Sequence, residues 1–402
     1  MSAVEARGDL TAAPAPSVER RPLLALTWAH LLNDGAGNYL PGVLPAVLTS
    51  LDAPVRLAGV LTAALTVGQA LQPVTGWLAD RLGGRSLVVL GLLLSSLGGG
   101  LLGVAHSVWV TVLLLLMIGT GSGFFHPQAL AGVRSLLHGR QGLVTSFFLV
   151  GGELGRGIWP TAASLVVSHL GLVNLWIVCL PGILTLPLLG RLAPRLPASS
   201  AERRRIRWRR HTRPLAVLVG YRCIQALSLY ALVTYIPILW HQRGGSLVGG
   251  ASIITTLLVV GIVGNLWGGH LADEIGRIPV LLASALTTAA LIVPLVTVHG
   301  VWIWVVAAPL GIAAFLTAST TILIGQDIFP ENRSMGSGIA LGLANGVGAL
   351  LVLLIGLWAS DQDVTTVLVV IAVLSAASAP LVFALPRPLW HASTDASPPS
   401  AS

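Results

Sequence analysis

Two oppositely charged residues lie three positions apart in an otherwise apolar part of the sequence. Glu153 and Arg156 fall inside FFLVGGELGRGIWP, residues 147 to 160. Residues i and i+3 of a helix share a face, so these side chains can form an ion pair. The surrounding stretch is long enough to cross a bilayer, where a charge at the centre costs at least ~3 kcal/mol. The pair therefore either holds helices together or takes part in function.

A second polar group lies in the first apolar stretch of the chain. His30, Asn33, Asp34 and Gly37 follow the spacing i, i+3, i+4 and i+7, which places them on one helix face. Polar residues in membrane helices almost always face the bundle interior or a wet cavity. His126, in a later apolar stretch, adds a second imidazole. The sequence thus indicates a polar cavity within a helical bundle.

The two carboxylates and two histidines of these stretches could together carry a proton. Burial raises the pKa of a carboxyl group and a nearby arginine lowers it, so a carboxyl group between those influences can titrate. We predict that Asp34 is the main proton site and Glu153 the second candidate. His30 and His126 would relay the proton, since free histidine has a pKa of about 6.5. The structural alternatives are a carboxylate paired permanently with Arg156 or a histidine, and a histidine that only packs.

Two arginines inside apolar stretches, Arg156 and Arg222, indicate what the cavity binds. The planar guanidinium group matches phosphate, phosphonate and carboxylate groups, so two of them favour anionic or zwitterionic cargo. The predicted substrate-binding set adds three uncharged residues to these arginines, namely Asn33, Tyr221 and Gln225. Asn345 is instead expected to hold helices together.

The composition places these residues in a membrane. Of 402 residues, 54% are hydrophobic and 9% are charged, and the mean hydropathy is +0.84. Soluble domains have about 25% charged residues, so a soluble fold is excluded. A helix needs about 20 predominantly apolar residues to cross the bilayer. Twelve runs qualify, which we term spans 1 to 12: residues 22–50, 57–79, 86–105, 108–133, 142–168, 172–193, 214–240, 246–270, 279–298, 301–325, 336–360 and 364–386.

The arginines are distributed unequally between the loops. With a cytoplasmic N-terminus, the tails and loops of that side hold 19 of the 23 arginines, the opposite loops hold two, and the spans hold two. The positive-inside rule therefore predicts a multi-pass protein of the cytoplasmic membrane with both termini in the cytoplasm. Nine arginines lie between Arg191 and Arg213. They could bind lipid headgroups or nucleic acid, but we interpret them as a topology-setting linker and expect no nucleic-acid partner.

Motifs for catalysis and for cofactor binding are missing from the sequence. It contains no Walker loop, His-Glu-x-x-His motif or nucleophile elbow, so we expect neither an enzyme nor an ATP-driven pump. Cys179 and Cys223 lie in spans, without the spacing of a disulfide framework or a zinc site. The few acidic residues in the spans do not suggest a metal site, and no cofactor is expected. The energy for transport should then come from an ion gradient.

One motif occurs in both halves of the chain. GWLADRLGGR at 76–85 returns as GHLADEIGR at 269–277, and this fixed offset indicates a duplicated unit of six helices. The glycines allow close helix approach and a tight turn, and the aspartates can pair with nearby arginines. The alternative is a turn with surface salt bridges of little energy. We predict a conformational latch with these members: Gly76, Asp80, Arg81, Gly83, Arg85, Gly269, Asp273, Gly276 and Arg277.

The duplicated motif and the twelve spans resemble the major facilitator superfamily. The resemblance covers about residues 22–388 and implies an all-α membrane protein with twelve transmembrane helices in two pseudo-symmetric six-helix bundles. It also implies alternating access, with spans 1, 4, 7 and 10 lining the cavity, and it supports the latch. The expected segments are a disordered cytoplasmic tail (1–21), a six-helix bundle (22–193), a basic cytoplasmic linker (194–213), a second six-helix bundle (214–388) and a disordered tail (389–402). We do not expect a cleaved signal peptide, because span 1 is longer than a signal sequence and contains polar residues.

Four segments are similar to the fosmidomycin-resistance branch of that superfamily. They are residues 30–48, 121–130, 145–155 and 336–351. Members of that branch resemble proton-driven exporters of small toxic compounds. The chain departs from the superfamily's pattern at Met117, where an arginine is usual, and in GGELGRGIWP, where an antiporter motif is loosened.

These observations together predict a proton-coupled exporter, an antiporter that works by alternating access as a monomer in the bilayer. Its expected cargo is a small toxic or drug-like compound, anionic or zwitterionic. An alternative of the same class is a proton-coupled transporter or importer of a small metabolite, such as an organic acid or sugar phosphate. An alternative of another class is a lipid-handling or regulatory membrane protein without solute flux.

Overall fold

The protein consists of helices that follow the twelve predicted spans. The computed structural model describes residues 19–69, 75, 84–136, 141–195, 208–329, 336, 339–358 and 363–390, and no strand occurs among them. Eight of the described helical segments are long and apolar enough to cross a membrane. Spans 2 and 11 contain shorter apolar helices in their described parts. The predicted all-α membrane fold is confirmed.

The spans have the following helix bounds in the structure. In the N-terminal bundle they are Arg20–Asn38 with Leu40–Ser50, Leu57–Gln69, Gly84–Leu101, Val108–Ser135, Gln141–Leu170 and Trp176–Leu192. In the C-terminal bundle they are Trp208–Gln242, Leu247–Ile275, Arg277–Thr297, Trp302–Phe315 with Ala318–Ile328, Ala344–Trp358 and Val364–Ser378. Short 3₁₀ turns occupy Leu102–Val104, Leu172–Leu175, Ala379–Ala384 and Arg387–Leu389.

Three spans contain irregular backbone. Span 1 breaks at Tyr39, where Pro41 stands in the first turn of the next helix and supplies no N–H group. Span 10 breaks after Phe315, and the π-helical turn Ile339–Leu343 precedes the main helix of span 11. At membrane depth such backbone is tolerated where it is buried in protein or lines a cavity. Tyr39 and Phe315 are buried, so the breaks of spans 1 and 10 lie in the interior of the bundles.

The two bundles share a hydrophobic core at one face of the protein. This core joins buried residues of the N-terminal bundle, such as Val43 and Leu61, to residues of the C-terminal bundle, such as Leu232 and Leu368. We term this the outer face, since it carries loop 51–56 and the arginine distribution predicts that it lies outside the cytoplasm. The remaining cores are separate, one in the N-terminal bundle and two in the C-terminal bundle.

Direct contacts between the bundles reinforce the closure of the outer face. The hydroxyl groups of Thr62 and Thr234 lie 3.0 Å apart, and those of Thr161 and Thr255 lie 2.7 Å apart. A Cβ atom added at Gly59 would lie 2.9 Å from a main-chain oxygen of span 11, so only glycine allows this approach. In the described residues, the bundles are therefore joined at the outer face.

The structure corrects three predicted segment boundaries. Span 1 begins at Arg20 rather than 22, and span 7 begins at Trp208, inside the predicted linker 194–213. Arginines 209 and 210 thus extend a helix instead of a loop. The predicted C-terminal tail 389–402 is wrong at its start, because Leu389 and Trp390 pack against the C-terminal bundle and the Trp390 carbonyl accepts a hydrogen bond from the Arg277 N–H, 2.8 Å away. Residues 1–18, 196–207 and 391–402 lie outside the described residues.

Candidate functional site

Glycines of span 5 bring its backbone against span 1. A Cβ atom at Gly151 would lie 2.9 Å from the Thr27 methyl group, and one at Gly155 would lie 2.9 Å from the Leu31 carbonyl carbon. One at Gly152 would overlap the His30 ring. Small residues allow such close packing of membrane helices. The glycine run identified in the sequence therefore holds span 5 close to the polar stripe of span 1.

Asp34 is the centre of the resulting polar cluster and is almost completely buried. Its Oδ1 atom lies 3.0 Å from Nε2 of His126, on span 4. Its Oδ2 atom lies 3.6 Å from Nε2 of His30 and 3.4 Å from Nη2 of Arg156. The two Nε2 atoms of His30 and His126 lie 3.3 Å apart. The structure thus brings together Asp34, both predicted relay histidines and Arg156, from spans 1, 4 and 5.

The hydrogen-bond network assigns the tautomers of both histidines. Nδ1 of His30 lies 2.9 Å from the Phe148 carbonyl oxygen, and Nδ1 of His126 lies 2.8 Å from the Ser122 carbonyl oxygen. A carbonyl oxygen only accepts hydrogen bonds, so each Nδ1 carries a hydrogen. A neutral imidazole of this tautomer presents a lone pair at Nε2. Both Nε2 lone pairs therefore point into the cluster around Asp34.

These lone pairs require one more proton in the cluster. Without it, the Nε2 lone pair of His126 would face both the Asp34 carboxylate and the Nε2 lone pair of His30, and none of these contacts would contain a hydrogen. A single proton placed on His126 Nε2 or on Asp34 gives the short contact of 3.0 Å its hydrogen. The geometry is therefore compatible with a proton shared between an imidazole and a carboxyl group, and the proton-coupling role of these residues stays a prediction.

Asn33 holds the Asp34 carboxylate in place by a hydrogen bond. Its side-chain nitrogen lies 3.2 Å from Oδ1 of Asp34, to which it donates. Its side-chain oxygen accepts a hydrogen bond of 2.9 Å from the Ser95 hydroxyl, which fixes the direction of the amide. Asn33 is fully buried. In this structure the predicted substrate ligand Asn33 thus supports the Asp34 carboxylate, and its role in substrate binding stays a prediction.

Arg156 connects the buried carboxylate of Asp34 to the more exposed one of Glu153. Its Nη1 atom lies 3.6 Å from Oε1 of Glu153 in the same helix, and its Nη2 atom contacts Asp34. The side chains of Arg156 and Glu153 are 33% and 25% exposed, whereas that of Asp34 is 2% exposed. One guanidinium group therefore bridges a buried carboxylate and an accessible one. The sequence left open whether Arg156 pairs within its helix or with Asp34, and the structure shows both contacts.

The C-terminal bundle places the other predicted ligands on span 7. The Tyr221 hydroxyl donates to the Leu281 carbonyl at 2.7 Å, and the Gln225 amide donates to the Ser378 hydroxyl at 3.1 Å. Nη2 of Arg222 lies 3.4 Å from the Asn345 oxygen, and its Nε atom is buried without a hydrogen-bond partner. Tyr221 and Gln225 are thus engaged in helix packing, while Arg222 keeps donor capacity.

The latch motif is described in its second copy and at the end of its first. Residues 76–83, which include Gly76, Asp80, Arg81 and Gly83, lie outside the described residues. Arg85 donates from Nε to the Ala193 carbonyl at 2.6 Å, which ties span 3 to the end of span 6. Arg277 is buried and pairs with Asp327 at 2.8 Å.

The remaining members of the second latch copy shape its turn. Gly276 has φ +89°, a backbone conformation that glycine adopts readily and that ends span 8 before Arg277 begins span 9. Gly269 packs beside the Ser319 side chain of span 10. Asp273 is exposed, and no described residue lies within ion-pair distance of it. The carboxylate that Arg277 binds is thus Asp327 of span 10, a partner that the motif alone did not identify.

The Asp34 cluster also contains the atom types of a metal site. One potential ligand atom each from His30, Asp34 and His126 lies within 4.8 Å of the others, a grouping that the sequence-based expectation of no metal did not anticipate. Arg156 places a permanent positive charge 3.4 Å from the same carboxylate, which opposes a divalent cation. This charge makes the cluster a poorer site for a divalent cation than its ligand atoms alone would suggest.

Three contributors to the site were missed in the sequence. Ser95 and Ser122 hold Asn33 and His126 in place, and serines are common in membrane helices, so nothing in their spacing singles them out. Tyr230, two helical turns beyond Arg222, interacts electrostatically with both Arg156 and Arg222. Tyr230 lies eight residues after Arg222 on span 7, and this spacing places both residues on a similar face of the helix.

Comparison with known proteins gives matches over most of the chain. The model of the Major Facilitator Superfamily matches residues 26–353 and 218–399. The chain is 25% identical over 359 residues to the fosmidomycin resistance protein of Escherichia coli K12, covering 85% of this chain and 87% of that protein. It is 26% identical over 397 residues to the MFS-type transporter YfnC of Bacillus subtilis 168, covering 92% and 94%.

Solved structures share the fold at low sequence identity. A bacterial homologue of the human lysosomal transporter Spinster, in an inward-facing and occupied conformation, superposes with a TM-score of 0.75 at 17% identity, covering 92% of this chain and 97% of that one. The nucleoside transporter NupG superposes with a TM-score of 0.76 at 14% identity, covering 90% and 99%. The two six-helix bundles predicted from the repeat are therefore confirmed as a transporter fold.

Proposed function

Because the chain belongs to the Major Facilitator Superfamily of membrane transporters, we propose that it is a proton-coupled secondary transporter that exports a small toxic compound by alternating access. The observation that carries this proposal is the cluster of Asp34, His30 and His126, whose hydrogen bonds need one shared proton. A buried site of this kind can load a proton at one face of the membrane and release it at the other. Ionisable residues inside spans typically mark such pathways.

Arg156 couples the proton to the cargo in this proposal. When Asp34 is charged, it shares the guanidinium group with Glu153. A proton on Asp34 removes that attraction, and Arg156 is then held by Glu153 alone. Glu153, neutralised in this way, loses its attraction for the positive group of a zwitterionic cargo. Proton binding and cargo binding thus exclude each other, as export by antiport requires.

The relatives support the nature of the cargo and the direction of transport. The Escherichia coli relative is named for resistance to fosmidomycin and aligns over most of both chains. Resistance through a transporter is simplest if the toxic compound leaves the cell. We therefore place export before the import of a metabolite. The arginine distribution supports a cytoplasmic-membrane location with both termini in the cytoplasm, and we propose a monomer.

Proton movement in proteoliposomes that contain a pH-sensitive dye tests this function. Fosmidomycin, organic acids, sugar phosphates and the cation ethidium are added in turn, and the wild-type protein is compared with Asp34→Asn and Glu153→Gln. We expect one class of compound to drive proton flux in the wild type and Asp34→Asn to abolish it. Asp52→Asn is the matched control, because Asp52 is exposed in loop 51–56 and asparagine tolerates its positive φ of 47°.

The outcomes separate the candidate functions. Flux driven by a sugar phosphate or organic acid alone would replace drug export by metabolite transport. Solute uptake without proton movement would leave a transporter and remove Asp34 from the coupling role. Full proton-coupled transport in both Asp34→Asn and Glu153→Gln would contradict the assignment of the proton site.

A further inference from the structure

The charges inside the membrane region are not balanced in the same way in the two bundles. In the N-terminal bundle, Arg156 contacts the carboxylates of Asp34 and Glu153, so its charge is compensated within the protein. In the C-terminal bundle, Arg222 has only the neutral Asn345 oxygen, at 3.4 Å. No described carboxylate lies within ion-pair distance of Arg222. The buried positive charge of span 7 therefore lacks a counter-ion among the described residues.

The burial of Arg222 makes this imbalance significant. The side chain is 9% exposed, and its Nε atom is buried and donates no hydrogen bond. Arginine does not lose its proton in proteins, so this residue cannot become neutral as a buried lysine or carboxyl group can. A buried charge without a partner is strongly unfavourable unless a counter-ion reaches it. The unfilled donor capacity among the described residues can thus be satisfied by a bound anion.

The helix that carries Asn345 is irregular and loosely packed near this residue. Asn345 lies two residues after the π-helical turn Ile339–Leu343, and π-turns inside helices are frequent at functional sites. Within that turn, a Cβ atom at Gly342 would meet nothing within 4 Å, so this backbone is not closely packed.

We propose that Arg222, with Asn345, binds the anionic group of the transported compound, a carboxylate, phosphate or phosphonate, and that Arg222 rather than Arg156 sets the preference for anions. Arg222 supplies the charge, and Asn345 orients the guanidinium group. The rest of the compound then extends toward Arg156 and Glu153 in the opposite bundle. This assignment rests on the proposed transport function and narrows its substrate class.

Anion binding to the purified full-length protein tests this assignment without any transport step. The melting temperature is measured in detergent with sodium acetate or methylphosphonate, against sodium chloride at equal ionic strength and against tetramethylammonium chloride. A ligand that binds the folded state raises the melting temperature in a concentration-dependent way. We expect a rise with acetate or methylphosphonate in the wild type and none with tetramethylammonium.

Four variants locate the binding site. Arg222→Gln should lose the anion response, yet should melt no lower than the wild type without anion, since an unbalanced charge is removed. Arg56→Gln, an exposed loop arginine, is the matched control and should respond as the wild type does. Arg156→Gln should melt at a lower temperature, because Glu153 loses its ion-pair partner and Asp34 loses one of its charged contacts, but it should keep its anion response. Asn345→Ala should weaken the response several-fold, which tests the site independently if Arg222→Gln fails to fold.

Two results would overturn the assignment. One is an anion response in Arg222→Gln equal to that of the wild type, and the other is the absence of any anion response in the wild type. Neither depends on protons, so the anion site can fail while Asp34-dependent proton flux persists. Loss of proton flux with an intact Arg222-dependent anion response would instead contradict the proton coupling and leave the anion site in place.

Discussion

Gly152 offers a direct test of how the proton cluster is built. A Cβ atom at this position would overlap Nε2 of His30 and would lie 2.5 Å from its Cε1 atom and 3.0 Å from Oδ2 of Asp34. Carbon atoms pack best at about 3.5–4.0 Å, so the imidazole would have to move by about 1 Å. Because the ring lies between spans 1 and 5, it has little room to move without separating the helices. We therefore predict that Gly152→Ala lowers both stability and transport, although it adds only one methyl group.

The expected size of the effect follows from overpacking in a tightly packed interior. Gly152→Ala should lower the free energy of unfolding by about 1–3 kcal/mol. The same displacement would lengthen the contacts of His30 with His126 and Asp34, which are 3.3 and 3.6 Å, so proton-coupled transport should fall as well. Gly190→Ala is the matched control, since a Cβ atom there meets nothing within 4 Å. In a helix, alanine is favoured over glycine by about 0.5–1 kcal/mol, so this control should not be destabilised.

Equilibrium unfolding of both variants in mixed micelles with increasing dodecyl sulfate measures this difference. Proton flux in proteoliposomes, normalised to the amount of folded protein, then reports the function. If Gly152→Ala matched Gly190→Ala in both measurements, the close contact between span 5 and the His30 ring would not be a feature of the working protein. The proton site would then need another explanation than the packing of spans 1 and 5.

Three further outcomes follow from contacts away from this cluster. Asp327→Asn should destabilise the protein by about 3 kcal/mol because it leaves the buried Arg277 unpaired, and the double variant with Arg277→Gln should recover part of the loss, as measured by unfolding. Arg243→Gln should cost about 2 kcal/mol by the same measurement, because two carbonyl groups at the end of span 9 lose a charged donor. Gly59→Leu should force the bundles apart at the outer face, and a cysteine at Thr62 should then react faster with a membrane-impermeant thiol reagent added outside.

Much of the fold was predictable because membrane helices leave a strong signal. Apolar runs of the necessary length and a duplicated motif identify the spans and the two bundles before any coordinates are known. Boundaries at the membrane surface were less predictable. Trp208 begins span 7 inside an arginine-rich stretch, since arginine is a good helix former and its charged end can reach the surface. Trp390 is ordered because of a main-chain contact with Arg277, which no local pattern reveals.

The sequence identified several residues of the candidate site, but it did not predict which of their atoms are in contact. The spacing of His30 and Asp34 placed both on one face, and polar residues in spans identified His126 and Arg156. Which atoms meet depends on the approach of spans 1, 4 and 5 in space. Tyr221 and Gln225 were selected by polarity alone, and the structure shows their polar atoms bonded to neighbouring helices. Polarity in a span identifies an inward-facing residue without distinguishing a ligand from a packing contact.

The shared core at the outer face has a consequence for how the protein meets its ligands. A compound that arrives from the inner face does not need these contacts between the bundles to open before it binds. A compound that arrives from the other side binds only the fraction of molecules whose outer face is open, and its apparent affinity is reduced by that fraction. The threonine contacts Thr62–Thr234 and Thr161–Thr255 contribute to that equilibrium. A blocker designed to act from outside would therefore gain potency from any change that loosens these contacts, even where it touches none of them.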